Sequence, residues 1–255
     1  MFCRCCEYQT EYIWTGKVLE FEIKYYECPR CKYVQTETPY WLEKAYSSVI
    51  NDSDTGIVIR NIVNSKIVAS TILNLNIIKL PVVDYAGGYG LLVRMLRDFG
   101  ISAYWMDPYC TNLFAKKFEF DKNQNVGLVC AFEVMEHVLN PIETIDSMLA
   151  ISPNLLISTL IMPDKTPDHD NWWYYGKNHG QHIGFFRIST FQYIAKLKNK
   201  YLATDGKSYF LFSDKKMNNF QFRFSILLNK FSPYFLKLFL KSKTYSDSKF
   251  LENLT

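Results

Sequence analysis

Between Lys79 and Leu96 the chain passes from a short β-branched run to an acid, a cluster of glycines and an apolar-periodic segment. The residues are Val82-Val83-Asp84-Tyr85-Ala86-Gly87-Gly88-Tyr89-Gly90, followed by Leu91-Leu92-Val93-Arg94-Met95-Leu96. Such a run reads as a buried parallel strand, a tight turn and a helix start. Glycines there admit positive φ and let a ligand approach bare backbone, while the helix start offers unpaired N–H groups. A small ligand is therefore expected at this turn. A dinucleotide fingerprint would require a glycine at position 93, where Val93 stands, and is excluded.

Two further strands carry acids at their ends. Ile101-Ser102-Ala103-Tyr104-Trp105-Met106 runs into Asp107, 23 positions after Asp84, where a carboxylate can accept hydrogen bonds from ribose hydroxyls. Val126-Gly127-Leu128-Val129-Cys130-Ala131-Phe132 has the pattern of a fully buried strand and leads into Glu133-Val134-Met135-Glu136-His137. Ligands of open α/β sheets sit at the carboxyl ends of the strands, so Phe132 and Glu133 are expected to face the ligand and His137 the substrate side. The segment 109–125 is short for a helix plus a strand.

The acid followed by alternating small residues, here Asp84, Ala86, Gly88 and Gly90, resembles motif I of class I S-adenosylmethionine-dependent methyltransferases. Ala86 stands where that family usually has its first glycine, and Glu133-Val134-Met135-Glu136-His137 resembles the family's continuation of its fourth strand. The resemblance covers roughly residues 80–213. It implies a Rossmann-like, doubly wound α/β fold with a mostly parallel seven-stranded sheet and an antiparallel closing strand. It also implies S-adenosylmethionine held by Asp84, Ala86, Gly87, Gly88, Tyr89, Gly90, Asp107, Phe132 and Glu133.

The first 50 residues read separately. Cys3-x-x-Cys6 and Cys28-Pro29-Arg30-Cys31 are two C-x-x-C knuckles with 21 residues between them. Two such pairs point to a structural Zn2+ site of four thiolates, Cys3, Cys6, Cys28 and Cys31, with Cys5 able to replace Cys6 and reduced, unliganded cysteines as the other reading. Strands at Tyr12-Ile13-Trp14 and Val18–Ile23 are expected to turn at Thr15-Gly16-Lys17. So short a segment cannot fold on its own core, and a metal would make up the deficit. A closed four-thiolate site has no open position and is assigned no catalysis.

A methyltransferase domain is expected over 51–213, with a helical lead-in at 51–79 started by cap signals at Ser53-Asp54-Thr55-Gly56. Later, Pro141 opens a helix and Leu155–Leu160 forms a strand. Beyond it lies a polar, aromatic loop, Asp168-His169-Asp170-Asn171-Trp172-Trp173-Tyr174-Tyr175 and Asn178-His179-Gly180-Gln181-His182-Ile183-Gly184-Phe185-Phe186. Long loops of this make-up serve function. The stretch resembles a pattern in methyltransferases of bacterial surface-glycan and nucleotide-sugar pathways. That resemblance implies His182, then His179, as the catalytic base, with His137 from the earlier motif; zinc binding by His169, His179 and His182 is the rival reading. Ser189 is expected to cap a helix over 190–198, and 201–204 and 208–212 to form the closing strands.

Residues 214–255 form a basic, amphipathic tail, suited either to peripheral contact with an anionic membrane or to docking on the domain or a second subunit. The chain has 48% hydrophobic and 21% charged residues, a folded globular make-up. A net charge of +4 without a basic block argues against nucleic acid as partner. No secretory leader or 18-residue apolar span is evident, so a cytoplasmic protein is expected, with seven cysteines that need a purpose other than disulfides. The expected reaction is methylation of a hydroxyl, less readily a carbon, on a small-molecule or glycan acceptor. A non-catalytic adaptor and an RNA methyltransferase are the alternatives.

Overall fold

The computed structural model describes residues 1–46 and 54–254. The N-terminal ribbon contains β1 (Glu11–Val18), β2 (Phe21–Glu27) and β3 (Val34–Thr36), antiparallel in sequence order, followed by the short helix α1 (Leu42–Ala45). The hairpin turns at Leu19-Glu20, with Leu19 at φ 53°, and not at Thr15-Gly16-Lys17 as its sequence suggests. Gly16 lies within β1 because the His169 ring rests against it; a Cβ would stand 2.3 Å from His169 Cδ2. The glycine signals a close approach and not a bend.

The long helix α2 (Ile57–Leu75) ends at Asn76 in the left-handed conformation. Of its expected cap signals, Ser53 lies outside the described residues, as does the boundary between 50 and 51. Gly56 is the N-cap, without a side-chain cap, and Asp54 instead pairs with Arg60 at 2.7 Å. Then follow β4 (Val82–Tyr85), α3 (Leu91–Asp98), β5 (Ala103–Met106), β6 (Leu128–Phe132), α4 (Pro141–Leu149) and β7 (Leu155–Ser158). α3 buries Leu92, Val93 and Leu96, and its half-buried Arg94 pairs with Asp98 at i,i+4 and with Asp247 at 2.9 Å. β6 and β7 are apolar on both faces because helices cover both sides of a parallel sheet.

β8 (Gly184–Phe185) precedes α5 (Ile188–Leu197), whose N-cap is Arg187 and not Ser189. The chain closes with β9 (Tyr201–Thr204), β10 (Tyr209–Ser213), α6 (Asn219–Leu227), α7 (Ser232–Leu236) and α8 (Thr244–Glu252). The central sheet has the order β5-β4-β6-β7-β10-β9, with β10 antiparallel to both neighbours. It has six strands among the described residues, which corrects the expected seven. The chain between β5 and β6 is too short for another helix and strand, and leaves only a parallel bridge between Trp105 and Glu119. Asn112 turns this segment back by bonding both backbone groups of Ala115.

The second sheet has the order β1-β2-β3-β8, so the ribbon takes its fourth strand from the polar loop near residue 184. Arg4 donates to Ile183 O, Thr36 O and Glu37 O, and Thr190 Oγ1 donates to Cys31 O at 2.9 Å. These bonds join the cysteine knuckles to the loop and to α5. At the other end the tail docks on the domain. Asp247 of α8 receives a bidentate, buried pair of bonds from Arg97 of α3, both 2.7 Å, and the Arg97 guanidinium lies 3.6 Å over the Phe118 ring.

Candidate functional site

The turn after β4 is held in the left-handed region at alternate residues, Ala86 (φ 56°), Gly88 (φ 54°) and Gly90 (φ 85°). Ala86 carries a Cβ in that conformation at about 1–2 kcal/mol of strain. Gly87 folds over the Asp84 carboxyl, where a Cβ would lie 2.6 Å from Oδ2. Gly88 faces open space, with no atom within 4 Å of an added Cβ. Asp107 is turned toward this bend: its Oδ2 accepts from Gly88 N at 2.9 Å and its Oδ1 from Tyr109 N at 2.8 Å. Trp105 Nε1 donates to Gly88 O at 2.8 Å. The result is a stiff, open cradle of backbone beside an oriented carboxylate. Asp84 itself is buried, and burial, then the nearby Asp107 charge, pushes its carboxyl up to about 8.

At the end of β6, Glu133 takes φ 54°, a second strained position at the same sheet edge. Its Oε1 accepts from Ser158 Oγ, at the end of β7, at 2.7 Å, and its Oε2 lies 3.3 Å from the Tyr174 hydroxyl. The Tyr174 hydroxyl also bonds Glu136 Oε1 and accepts from Leu160 N at 3.1 Å. Burial, then the Glu136 charge, raises Glu133 to about 7; burial raises Glu136 likewise to about 7. Glu133, Ser158 and Tyr174 line a cleft of about 210 Å³ together with Arg60 and Asn64 of α2, Leu160, Trp173, Ser208 and Tyr209. Phe132 sets its ring edge-on to Tyr209.

His137, His182 and His179 come together, with ring centroids 4.8 and 4.7 Å apart, but none lines the cleft. His182 Nδ1 lies 2.6 Å from Tyr174 O and His137 Nδ1 3.1 Å from Gln181 O. A carbonyl only accepts, so His182 Nδ1 carries the proton and its Nε2 keeps a lone pair, while His137 Nδ1 lies 3.1 Å from both Gln181 O and the Tyr46 hydroxyl. Burial lowers His137 to about 4 and His182 well below the usual imidazole range. His169 does not join them. It packs among Trp14, Tyr25 and Tyr175, which removes the expected alternative of zinc held by His169, His179 and His182.

Two groups among the described residues have the make-up of ion sites. One is Cys3, Cys6, Cys28 and Cys31, with Cys3 Sγ 3.5 Å from Cys31 Sγ and Cys6 Sγ 3.4 Å from Cys28 Sγ. Zinc–thiolate bonds of about 2.3 Å put tetrahedral sulfur pairs about 3.8 Å apart, so the four thiolates fit a zinc ion with little movement. Cys5 N and Cys31 N donate to Cys3 Sγ and Cys28 Sγ, which fixes the direction of those two sulfurs. Cys5 lies outside this set. The other group is Glu136, His137 and His182, whose ligand atoms lie within 4.8 Å of one another. Glu136 Oε2 is buried without a hydrogen-bond partner.

A family model described as a methyltransferase domain matches residues 65–199, just over half of the chain. The chain belongs to this methyltransferase-domain family. A search of the curated proteins returns no match. Among solved structures, the domain is similar to human N-acetylserotonin methyltransferase in complex with SAM, at 14% identity over 60% of this chain and 52% of that one, with a TM-score of 0.43. It is also similar to an O-methyltransferase family protein from Burkholderia thailandensis, at 16% identity, 53% and 52% coverage and a TM-score of 0.40. A third is the Haloferax volcanii complex of the Trm112 methyltransferase activator with a putative methyltransferase, at 13% identity, 55% and 83% coverage and a TM-score of 0.40. The chain spans about half the length of the first two.

Ser158, Tyr174, Arg60 and Tyr209 are cleft residues that sequence reasoning passed over. Ser158 was within reach of the rule that strand carboxyl ends carry ligands, which pointed to Phe132 and Glu133. Arg60 and Asn64 had only a helical period to mark them.

Proposed function

We propose that this chain transfers the methyl group of S-adenosylmethionine to a hydroxyl of a carbohydrate- or nucleotide-sugar-type acceptor, with Glu133 taking the proton. The observation that carries the reading is Glu133 itself: a cleft-lining carboxyl, oriented by Ser158 and Tyr174, at the sheet edge shared with the glycine turn. Asp107 and the turn from Asp84 to Gly90 would hold the nucleoside and amino-acid parts of S-adenosylmethionine. That molecule supplies an electrophilic methyl on a sulfonium. As the acceptor oxygen attacks, the C–O bond forms, the C–S bond breaks and the hydroxyl proton passes to Glu133. Alignment of acceptor, methyl carbon and sulfur is the protein's main contribution.

A carboxyl near 7 is better matched to this proton transfer than His182, whose imidazole burial makes a weak base. Trp173, 76% exposed on the cleft rim, offers a face for a sugar ring, while Arg60, Asn64 and Ser208 offer polar groups. The four-cysteine ribbon serves as a zinc-held brace under the loop that carries Tyr174 and His182. The test is incubation with labelled S-adenosylmethionine and a panel of nucleotide sugars and glycan fragments, read by mass. Glu133→Gln should lower turnover about 10²–10⁴-fold while cofactor affinity measured by calorimetry stays near wild type. Loss of cofactor binding, or full activity, would refute Glu133 as base.

A second reading is favoured by Glu136 Oε2, which has no hydrogen-bond partner, beside the rings of His137 and His182. One carboxylate and two imidazoles, each ring held at its Nδ1, suit a divalent cation. None of the three lines the cleft, so a cation there would brace the wall behind Tyr174 and Glu133 rather than touch the acceptor. Chelator treatment followed by readdition of zinc, manganese or magnesium separates the readings: unchanged turnover after chelation leaves Glu133 alone.

A further inference from the structure

Residues 215–241 carry six basic side chains, Lys215, Lys216, Arg223, Lys230, Lys237 and Lys241, and no Asp or Glu. The helices here have two faces. The inner one, Phe222, Ser225, Ser232 and Leu236, is buried at spacings of three or four, against α2; Ser70 Oγ on α2 donates to Ser225 O at 2.9 Å. The outer face holds Phe220, Phe224, Leu227, Tyr234, Phe235 and Leu238, also at helical spacing, with Phe220 78%, Leu227 73% and Leu238 75% exposed. The inner face already satisfies the packing of these helices, so the outer apolar stripe has no work within the fold.

We propose that this outer face seats on an anionic lipid surface. An apolar aromatic stripe interleaved with cations and free of anions is the make-up of a helix lying in a bilayer interface. Lys230 and Lys237 stand over the rings of Phe231 and Tyr234 at 5.0 and 5.6 Å, which places charge beside an inserted ring, at headgroup level. A second copy is the poorer occupant. A two-fold interface would press the same cation-rich face against itself, without an acidic residue in 215–241 to offset it. α2 also supplies Arg60 and Asn64 to the cleft, so docking through α6 and α7 would bring the cleft wall close to the membrane.

The experiment is co-sedimentation of the full, zinc-loaded chain with vesicles of phosphatidylcholine alone and of phosphatidylcholine mixed with phosphatidylglycerol, at low and high salt. Binding to the anionic vesicles, weakened by salt, is the expected result. Lys237→Gln and Lys241→Gln should each lower the partition coefficient about fivefold. Phe224→Ser with Phe235→Ser should lower it at least about tenfold, because each removes an inserting ring. These residues are exposed, and an unchanged circular dichroism melt will show that the fold is intact. No binding to either vesicle, or equal binding of wild type and the Phe variants, would overturn the proposal. So would a concentration-dependent dimer abolished by the same Phe changes, which would name a second copy as the occupant.

Discussion

Replacing Arg187 with leucine isolates the junction between the ribbon and the polar loop after β7. Arg187 is 4% exposed, and its guanidinium donates to Pro163 O at 2.9 Å, Lys32 O at 2.6 Å, Glu27 Oε1 at 3.2 Å and Thr166 Oγ1 at 2.6 Å. Thr166 in turn donates to Glu27 Oε2 at 2.6 Å, which closes the network. Three distant segments thus meet on one side chain: the ribbon, the loop after β7 and the start of α5. Leucine would keep part of the apolar stem but leave the carbonyls of Lys32 and Pro163 without this donor. Each stranded carbonyl costs about 1–3 kcal/mol. Glu27 is partly exposed and regains water, so its loss adds little. Added leucine burial offsets a fraction, and a net destabilisation of about 3 kcal/mol follows. In a chain of this size that lowers the melting temperature by about 6–12 °C. Thermal and urea unfolding of the zinc-loaded protein, followed by circular dichroism, would measure it. Arg187→Lys, which keeps the charge but not the fork, should fall between. A leucine variant as stable as wild type would refute the claim that this junction holds the loop.

Cys6→Ser should abolish stoichiometric zinc while Cys5→Ser retains it, as read by elemental analysis after dialysis, because Cys6 and not Cys5 stands 3.4 Å from Cys28 Sγ. Gly90→Ala would place a Cβ 2.7 Å from Asn112 Oδ1 and 3.1 Å from Ala115 Cβ in a left-handed residue. It should cost about 1–3 kcal/mol in unfolding assays and weaken S-adenosylmethionine binding by calorimetry. Asp84 has a folded-state value of about 8 against an unfolded value near 3.9, so the native state binds the extra proton and loses stability as pH rises between those values. Wild-type stability should therefore fall from about pH 5 to about pH 8 more steeply than that of Asp84→Asn, and parallel melting curves against pH would count against a buried, protonated Asp84.

What was readable in the chain lay within short spans. The acid, the glycine turn and the helix after it follow from residues fewer than twenty apart, where local sterics and one hydrophobic period decide the outcome. The cysteine knuckles are legible for the same reason, since a metal demands donors at fixed spacing. Even so, the spacing that names Cys6 leaves Cys5 able to replace it, and the direction of each side chain in the folded knuckle separates them.

Tertiary structure decided the rest. β3 meets β8 across some 150 residues of chain, and no period in either segment announces that pairing. Tyr174 reads as one aromatic in a crowded loop until folding sets its hydroxyl against Glu133 and Glu136. Gly16 looks like a turn until His169 arrives against it from the far side of the sequence. Local pattern determines which elements form, because backbone conformation is settled by near neighbours. Which side chains share a cleft is settled by packing between distant elements, and that depends on the shape of every surface at once.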